Sequence, residues 1–162
     1  MDPEISAVMV KELRSRTGGG IMDCKRALVE ADGDMDRAIA IISAAGLAKA
    51  ARRSDRATGH GVIDAYIHPA RPLGALIELG CETDFVARTG EFRTLAHEIA
   101  MHVAAMAPQK IATDDDGEGE ALLEQAYVRD PGQTIDELIQ ETVARTGENI
   151  RVVRISRFEV GA

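Results

Sequence analysis

The spacing of apolar residues changes near residue 60, and this change limits the folds open to the chain. Before it, apolar residues recur every three or four positions in three short segments, which predicts three amphipathic helices. After it, residues 62–68 and 73–82 alternate between apolar and polar side chains, which predicts two antiparallel strands. We therefore expect an α+β fold, with a three-helix module in residues 1–52 and an α+β core in residues 53–162.

Capping residues and glycines set the expected limits of the first three helices. Asp2 is expected to cap the first helix, and the glycine run 18–20 to end it. Asp34 is expected to cap the third helix, which should end near Gly46. Residues 48–58 are rich in alanine and arginine and carry no large apolar stripe, so we interpret them as a linker or a solvated helical extension.

The second half of the chain alternates helix and strand signals. Residues 92–106 keep apolar side chains at helical spacing for four turns, so this helix is expected to pack on the sheet. Residues 134–137 form a capping-box pattern that predicts another helix. Residues 150–160 predict the last strand, whose slipping alternation indicates a bulge or an edge position. The polar segments 114–120 and 130–132 are expected to form a loop and a turn.

The composition limits the partners that the protein can have. Lys and Arg number 19 against 27 Asp and Glu, for a net charge of −8. Nucleic-acid binding depends on basic side chains that displace counterions, so no direct nucleic-acid partner is expected. No apolar run approaches the roughly 18 residues of a membrane helix, and the acidic N-terminus is no signal peptide. Cys24 and Cys81 follow no disulfide pattern, so the chain is expected to be cytoplasmic, with no membrane partner.

The sequence contains no convincing catalytic or metal-binding set. His97 and His102 are five positions apart, which turns the second side chain about 140° from the first, so we expect two solvated histidines rather than zinc ligands. The glycine run 18–20 lacks the Lys-Ser/Thr of a phosphate-binding loop. No histidine can be paired with Cys81 from the sequence. We therefore expect no enzyme activity, no catalytic residues, no bound metal and no cofactor.

One short segment between the second strand and the main helix stands apart. Thr83 or Asp84 can cap a helical turn that would present Phe85 near the end of the strand. The residues alone leave open whether Phe85 is a core residue or an exposed one. An exposed phenyl ring beside a carboxylate would form a protein-contact site. We call residues 83–86 the tip.

Two long segments resemble the conserved sequences of bacterial elongation factor Ts, the guanine-nucleotide exchange factor for elongation factor Tu. They are residues 13–28 (LRSRTGGGIMDCKRAL) and residues 78–88 (ELGCETDFVAR), and residues 147–150 with Arg157-Phe158 resemble the family's closing strand. The likeness runs nearly end to end. The chain is similar to the short form of the family, because it has neither the second half of the core nor the coiled-coil insertion of longer members.

The resemblance implies a role for each part of the chain. The first 52 residues would be a ubiquitin-associated-like module that docks on the GTPase domain of elongation factor Tu. Within it, the residues matching the family's conserved segment would bind the partner: Leu13, Arg14, Thr17, Gly18, Gly20, Met22, Asp23 and Lys25.

For the second part, the resemblance implies that the tip intrudes beside the nucleotide site of elongation factor Tu and displaces Mg²⁺. The tip residues are Thr83, Asp84, Phe85 and Val86. Phe85 would be the wedge, and Asp84 would hold a helix of the partner in a shifted position. The short form acts as a homodimer through its sheet, in a two-plus-two complex with elongation factor Tu.

Three departures and two alternatives accompany this interpretation. Gly80 stands where the family usually has Asn or Val, which is expected to weaken the strand and change the approach of the tip. Ala126 stands where Pro is common before an aromatic residue, and His60 occupies a place often taken by Glu. A generic adaptor, whose core binds some other protein, would explain the first fifty residues but not the tip. An enzyme centred on Cys81 or a histidine would lose its activity on Cys81→Ala while GDP release stayed untouched.

Overall fold

The computed structural model describes residues 5–162 as two compact units, one ending at Arg53 and the other beginning at Ser54. The first unit is helical and the second combines helices with antiparallel strands, which confirms the α+β class. In chain order the elements are α1 (Ala7–Thr17), α2 (Ile21–Glu30), α3 (Met35–Ala51), β1 (His60–Ile67), β2 (Leu73–Cys81), α4 (Asp84–Ala87), α5 (Gly90–Met106), a 3-10 turn (Leu122–Glu124), β3 (Ala126–Tyr127), β4 (Asp130–Thr134), α6 (Ile135–Thr146) and β5 (Ile150–Glu159).

The first unit has a small hydrophobic core to which all three helices contribute. Leu13 of α1, Cys24 and Leu28 of α2, and Ala38 of α3 are fully buried in it. Alanines at the helix contacts allow the three short helices to approach closely enough to bury the larger side chains of Leu13, Cys24 and Leu28. The three helices therefore form a unit with its own core.

Local hydrogen bonds define where the first helices begin. Asp34 Oδ1 accepts a hydrogen bond from the Arg37 amide at 2.9 Å, which confirms the expected cap of α3. The cap of α1 is Ser6, whose hydroxyl oxygen accepts from the Met9 amide at 3.3 Å. Asp2, expected in that role, lies outside the described residues.

Helix α3 is longer than its apolar spacing indicates. The prediction of an end near Gly46 is wrong, because the helix continues to Ala51. The additional turn is rich in alanine, the residue with the highest helix propensity. Of residues 48–58, positions 48–51 therefore belong to the helix, as the alternative of a helical extension predicts.

The second unit is built on a three-stranded antiparallel sheet in the order β1-β2-β5, with β2 in the centre. Helix α5 packs on one face and buries Phe92 and Ile99 completely, as its spacing predicts. Met106, at the end of the apolar stripe, is 47% exposed and adds little to this contact. The helix ends at Met106, and its C-cap, Ala107, adopts a left-handed conformation with φ 51° just before Pro108.

The last strand is both bulged and at an edge, which confirms the prediction from its slipping alternation. Glu78 of β2 pairs with Arg154, whereas the next residue, Leu79, pairs with Val152. Val153 is thus an extra residue in β5, which is the definition of a β-bulge. The bulge lies in the half of the sheet that leads to the tip.

A second, two-stranded sheet consists of β3 and β4. The prediction of a turn at residues 130–132 is wrong, because they belong to β4 and the turn lies at residues 128–129. Pro131 is tolerated there because this small ladder leaves edge positions that need no amide donor. Residues 114–120 form no helix or strand, as expected.

The face of the three-stranded sheet opposite α5 is apolar and exposed. Ile67 of β1 and Phe158 of β5 both pair with Gly74 of β2, so they share this face. Ile63 and Leu76 are exposed on the same side. We call this surface the open sheet face.

Candidate protein-contact site

The tip forms a single helical turn, α4, between the central strand and the main helix. The side chain of Phe85 is 78% exposed, which excludes the core position that the sequence left open. Asp84 is exposed beside it, with Oδ2 3.0 Å from Nη2 of Arg88. Val86 and Ala87 are buried and anchor the turn, so the tip presents one aromatic ring and one carboxylate.

Thr83, rather than Asp84, caps this turn. Its hydroxyl oxygen accepts a hydrogen bond from the Val86 amide at 3.3 Å, and its backbone is extended. Thr89 repeats the arrangement at the start of α5, where its hydroxyl oxygen accepts from the Phe92 amide at 3.3 Å. Two successive caps therefore separate α4 from α5 and define the direction of each.

Glu148, in the connection between α6 and β5, contacts the tip from a distant part of the sequence. Its Oε2 accepts hydrogen bonds from the amides of Glu82 and Thr83 at 3.1 and 3.0 Å. Its Oε1 accepts from the hydroxyl of Thr83 at 2.6 Å. This residue was not expected from the sequence, although it lies within the segment that resembles the family's closing strand.

The next residue along, Asn149, makes a second set of contacts at the base of the tip. Its amide donates to Oε1 of Glu82 at 2.7 Å, and its side-chain nitrogen donates to the carbonyl oxygens of Ser54 and Arg56 at 3.1 and 2.7 Å. Arg56 also lies 3.5 Å from the same Glu82 carboxylate. Residues 54–56 are thereby attached to the base of the tip.

Cys81 is a structural thiol. It is fully buried, and its sulfur donates a hydrogen bond to the carbonyl oxygen of Thr83 at 3.1 Å. Burial raises the pKa of the Cys81 thiol, and the negative charge of Glu148 adds to the effect. The thiol is therefore held in its protonated, weakly nucleophilic form, and it contributes to the backbone geometry of the tip.

The two histidines on α5 have different environments. His97 is exposed, with Nδ1 2.9 Å from Oδ1 of Asp64. His102 is fully buried, so the expectation that both are solvated is wrong for this residue. The segment that contains Gln125 and Val128 covers it, and burial lowers its pKa. No group of three His, Cys, Asp or Glu side chains within residues 5–162 is arranged to hold a metal ion.

The N-terminal residues expected to bind a partner fall into two groups. Four of them shape the turn between α1 and α2: Leu13 is buried, Gly18 caps α1 with φ 67°, Gly20 caps α2, and the Thr17 hydroxyl donates to the Leu13 carbonyl. The side chains of Arg14, Met22 and Lys25 are exposed. Asp23 pairs with Lys49 at 3.0 Å and with Arg26, and these hydrogen bonds lower its pKa.

A groove of about 470 Å³ runs between α1 and α2. Apolar side chains line it together with the cationic side chains of Lys11, Arg14 and Lys25. Arg14 and Lys25 were expected from the sequence but the groove was not, because it depends on how the two helices pack. A segment that combines apolar and acidic side chains would complement it.

No helix in the part of the chain that the structure describes is long and apolar enough to cross a bilayer.

Comparison with known proteins identifies similar chains. The family model described as "Elongation factor TS" matches residues 34–118. The proteins named "Elongation factor Ts" from Thermoanaerobacter sp. (strain X514) and Fervidobacterium nodosum are 43% and 42% identical to this chain. The first alignment covers 97% of this chain and 95% of the relative, and the second covers 98% and 99%. The protein of the same name from Desulfotalea psychrophila is 42% identical, with 98% and 99% covered.

Proposed function

Because the chain belongs to the elongation factor Ts family, we propose that it is the guanine-nucleotide exchange factor for elongation factor Tu. It binds elongation factor Tu in its GDP-bound form, in the cytoplasm, and promotes the release of GDP so that GTP can bind. The observation that supports this function is the 78% exposed ring of Phe85 on a turn capped by Thr83. A costly exposed phenyl group next to a carboxylate is suited to enter a neighbouring protein.

The proposed action of the tip is to displace the Mg²⁺ that bridges the nucleotide's phosphates to the GTPase. Phe85 acts as an apolar wedge, and the exposed carboxylate of Asp84 holds a helix of the partner in a shifted position. Thr83 and the buried Val86 keep the turn in place. The other proposed contact is the groove between α1 and α2, where Arg14 and Lys25, together with the exposed Met22 of α2, meet an apolar and acidic surface of the GTPase domain.

This mechanism requires no covalent step and no cofactor, so we propose that the protein is not an enzyme in the bond-making sense. A factor that weakens GDP binding is itself bound more weakly when GDP is present, by the same coupling free energy. The complex of both proteins with nucleotide is therefore short-lived. The factor accelerates exchange in both directions, and the nucleotide concentrations decide the net direction.

We propose that the functional form is a homodimer, which binds two molecules of elongation factor Tu. The open sheet face supports this assembly, because Ile63, Ile67 and Phe158 are exposed on it and would be buried against a second copy. A cavity of about 470 Å³ lies beside Phe158 on this face, and side chains of the second copy can insert into it.

The test of the proposed function is the release of fluorescent GDP from elongation factor Tu in a stopped-flow instrument, with and without this protein. The Phe85→Ala variant is expected to slow the stimulated release at least about tenfold, the loss typical of an interface residue that contributes most of its energy. Its circular dichroism and melting temperature should stay unchanged, because the ring is exposed.

Met106→Ala is the matched control, since it also truncates an exposed apolar side chain of the second unit, away from the proposed contacts. It should leave the stimulated rate unchanged. An unaltered rate in Phe85→Ala would remove the wedge role. A wild-type protein without effect on GDP release would contradict the proposed function.

A further inference from the structure

We propose that Glu148 is the positioning residue of the tip: its carboxylate determines the direction in which α4 presents Phe85 to the partner. This inference rests on the proposed function of the tip. Glu148 itself does not belong to the exposed turn. It acts through Thr83, from a connection 65 positions away in the sequence.

The carboxylate uses both of its oxygens on the residues that join β2 to α4. The amides of Glu82 and Thr83 follow the last residue of the strand, Cys81, and point to the same oxygen of Glu148. Without this acceptor, two consecutive amide donors at a partly buried junction would have to find water. Hydrogen bonds to a carboxylate are shorter and stronger than those between neutral groups, so this acceptor limits how the chain can leave the strand.

The third hydrogen bond transmits this constraint to the helical turn. A threonine hydroxyl has a single proton, and in Thr83 it is donated to Oε1 of Glu148 at 2.6 Å. The lone pairs of the same oxygen are thereby left to accept the Val86 amide, which is the capping bond of α4. The carbonyl of Thr83 accepts from Cys81 and from the Ala87 amide. Every polar group of Thr83 is thus engaged, and Phe85 lies two residues further on.

The acceptor is itself held in place by its neighbours. Gly147 ends α6 in a left-handed conformation with φ 75°, which turns the chain toward the tip. The Glu148 amide donates to the hydroxyl of Thr146 at 3.3 Å. The Asn149 amide donates to the carboxylate of Glu82, so each of the two chain segments supplies both a donor and an acceptor to the other. This reciprocal arrangement fixes the tip relative to α6 and β5.

A double-mutant cycle in the GDP-release assay separates positioning from general stabilisation. Glu148→Ala should lower the maximal stimulated rate about tenfold, the size expected for the loss of a charge-assisted hydrogen bond. The concentration that gives half of the maximal effect should change less, since the first unit is unaltered. In the Phe85→Ala background, Glu148→Ala should cause no further loss of rate, because Glu148 acts by positioning the Phe85 ring and this variant has no ring to position.

Two further variants complete the comparison. Glu148→Gln keeps an oxygen that can accept both amides, but its NH2 group cannot accept the proton of the Thr83 hydroxyl, so it should recover part of the rate and not all of it. Glu141→Ala removes an exposed glutamate of α6, whose carboxylate pairs with Arg145 at 3.8 Å, and should leave the rate unchanged.

A readout without the partner tests the same inference. Hydrogen exchange of the Glu82 and Thr83 amides should be about tenfold or more faster in Glu148→Ala than in Glu141→Ala. Additive losses in the cycle, or unchanged exchange of both amides, would overturn the positioning role. If the wild-type protein does not accelerate GDP release, the proposed function fails, and amide exchange alone then decides whether Glu148 holds the tip.

Discussion

Phe85 and His102 occupy positions opposite to those that their side chains usually prefer. A buried phenyl ring stabilises a protein by roughly 1.5–3 kcal/mol, and Phe85 forgoes this in the isolated chain. His102 is fully buried, and its Nδ1 accepts a hydrogen bond from the Val128 amide at 3.2 Å. The ring proton is therefore assigned to Nε2, which donates to Gln125 Oε1 at 2.9 Å. The burial of His102 follows from contacts made outside its own helix.

The burial of His102 predicts that the protein loses stability in mild acid. Its pKa is lowered by burial from an ordinary value of 6.5, so the unfolded chain takes up a proton near pH 6.5 while the folded one does not. The free energy of unfolding should therefore fall as the pH drops through 6.5, by up to about 1.4 kcal/mol per pH unit, until the folded protein is protonated too. Urea unfolding at pH 7.5, 6.5 and 5.5 measures this dependence.

The variant His102→Gln should show a smaller decrease over the same pH range, although its overall stability will be lower. The exposed His60 provides the control, and His60→Gln should retain the wild-type slope. Identical slopes for all three proteins would exclude His102 as the origin of the acid sensitivity.

At the scale of elements, the helices differ in how much they depend on the rest of the fold. Helix α6 has twelve residues, a capping box between Thr134 and Glu137, and Gly147 at its end. Helix α4 has four residues, too few for a stable helix alone. It is stabilised by the cap at Thr83, by the burial of the Val86 side chain and by Glu148, which accepts a hydrogen bond from the Thr83 hydroxyl. The shortest helix thus depends most on tertiary contacts.

The capping box of α6 predicts a measurable loss on Thr134→Ala. Its hydroxyl oxygen accepts from the Glu137 amide at 3.2 Å, while Oε2 of Glu137 accepts from the Thr134 amide at 2.8 Å. Removal of the hydroxyl should lower the free energy of unfolding by about 1 kcal/mol, as urea unfolding will show. Thr94→Ala is the control: this exposed threonine lies inside α5, where alanine has the higher helix propensity. Equal stability of the two variants would contradict the role of the cap.

At the scale of the whole molecule, the second unit has two unlike surfaces on its main sheet. Helix α5 covers one of them, and the open sheet face carries Ile63, Ile67, Leu76 and Phe158. One ion pair, between Glu78 and Arg154 at 2.5 Å, lies among these apolar residues. Apolar surface of this kind is retained mainly where a partner covers it, which is the reason for proposing a second copy.

The proposed homodimer predicts a molar mass in solution of about twice 17.4 kDa, measured by light scattering. Phe158→Glu should shift the protein toward the monomer, because it would bury a charge in the interface without a partner. Leu47→Glu introduces the same charge at an exposed leucine of α3 and should leave the mass unchanged. A wild-type mass of one chain, or an unaltered mass in Phe158→Glu, would contradict an assembly through this face.

Most features with short-range causes were predictable from the sequence, with the end of α3 as an exception, whereas features with long-range causes were not. The caps Asp34 and Thr134 each depend on an amide three positions away. The side of the sheet on which Ile67 lies depends on the alternation of side chains within one strand. The errors at residues 130–132 and at His102 have another origin, since strand pairing and the cover over α5 bring together distant segments.

For the candidate site, the chemistry is already present in the sequence: a threonine, a carboxylate and a phenyl ring between a strand and a helix, within a chain of the elongation factor Ts family. The exposure of Phe85 and the hydrogen bonds from Thr83 to Glu148 are visible in the folded chain alone. Exposure and hydrogen-bond partners depend on which chain segments pack together. A donor and an acceptor 65 positions apart leave no local pattern in the sequence.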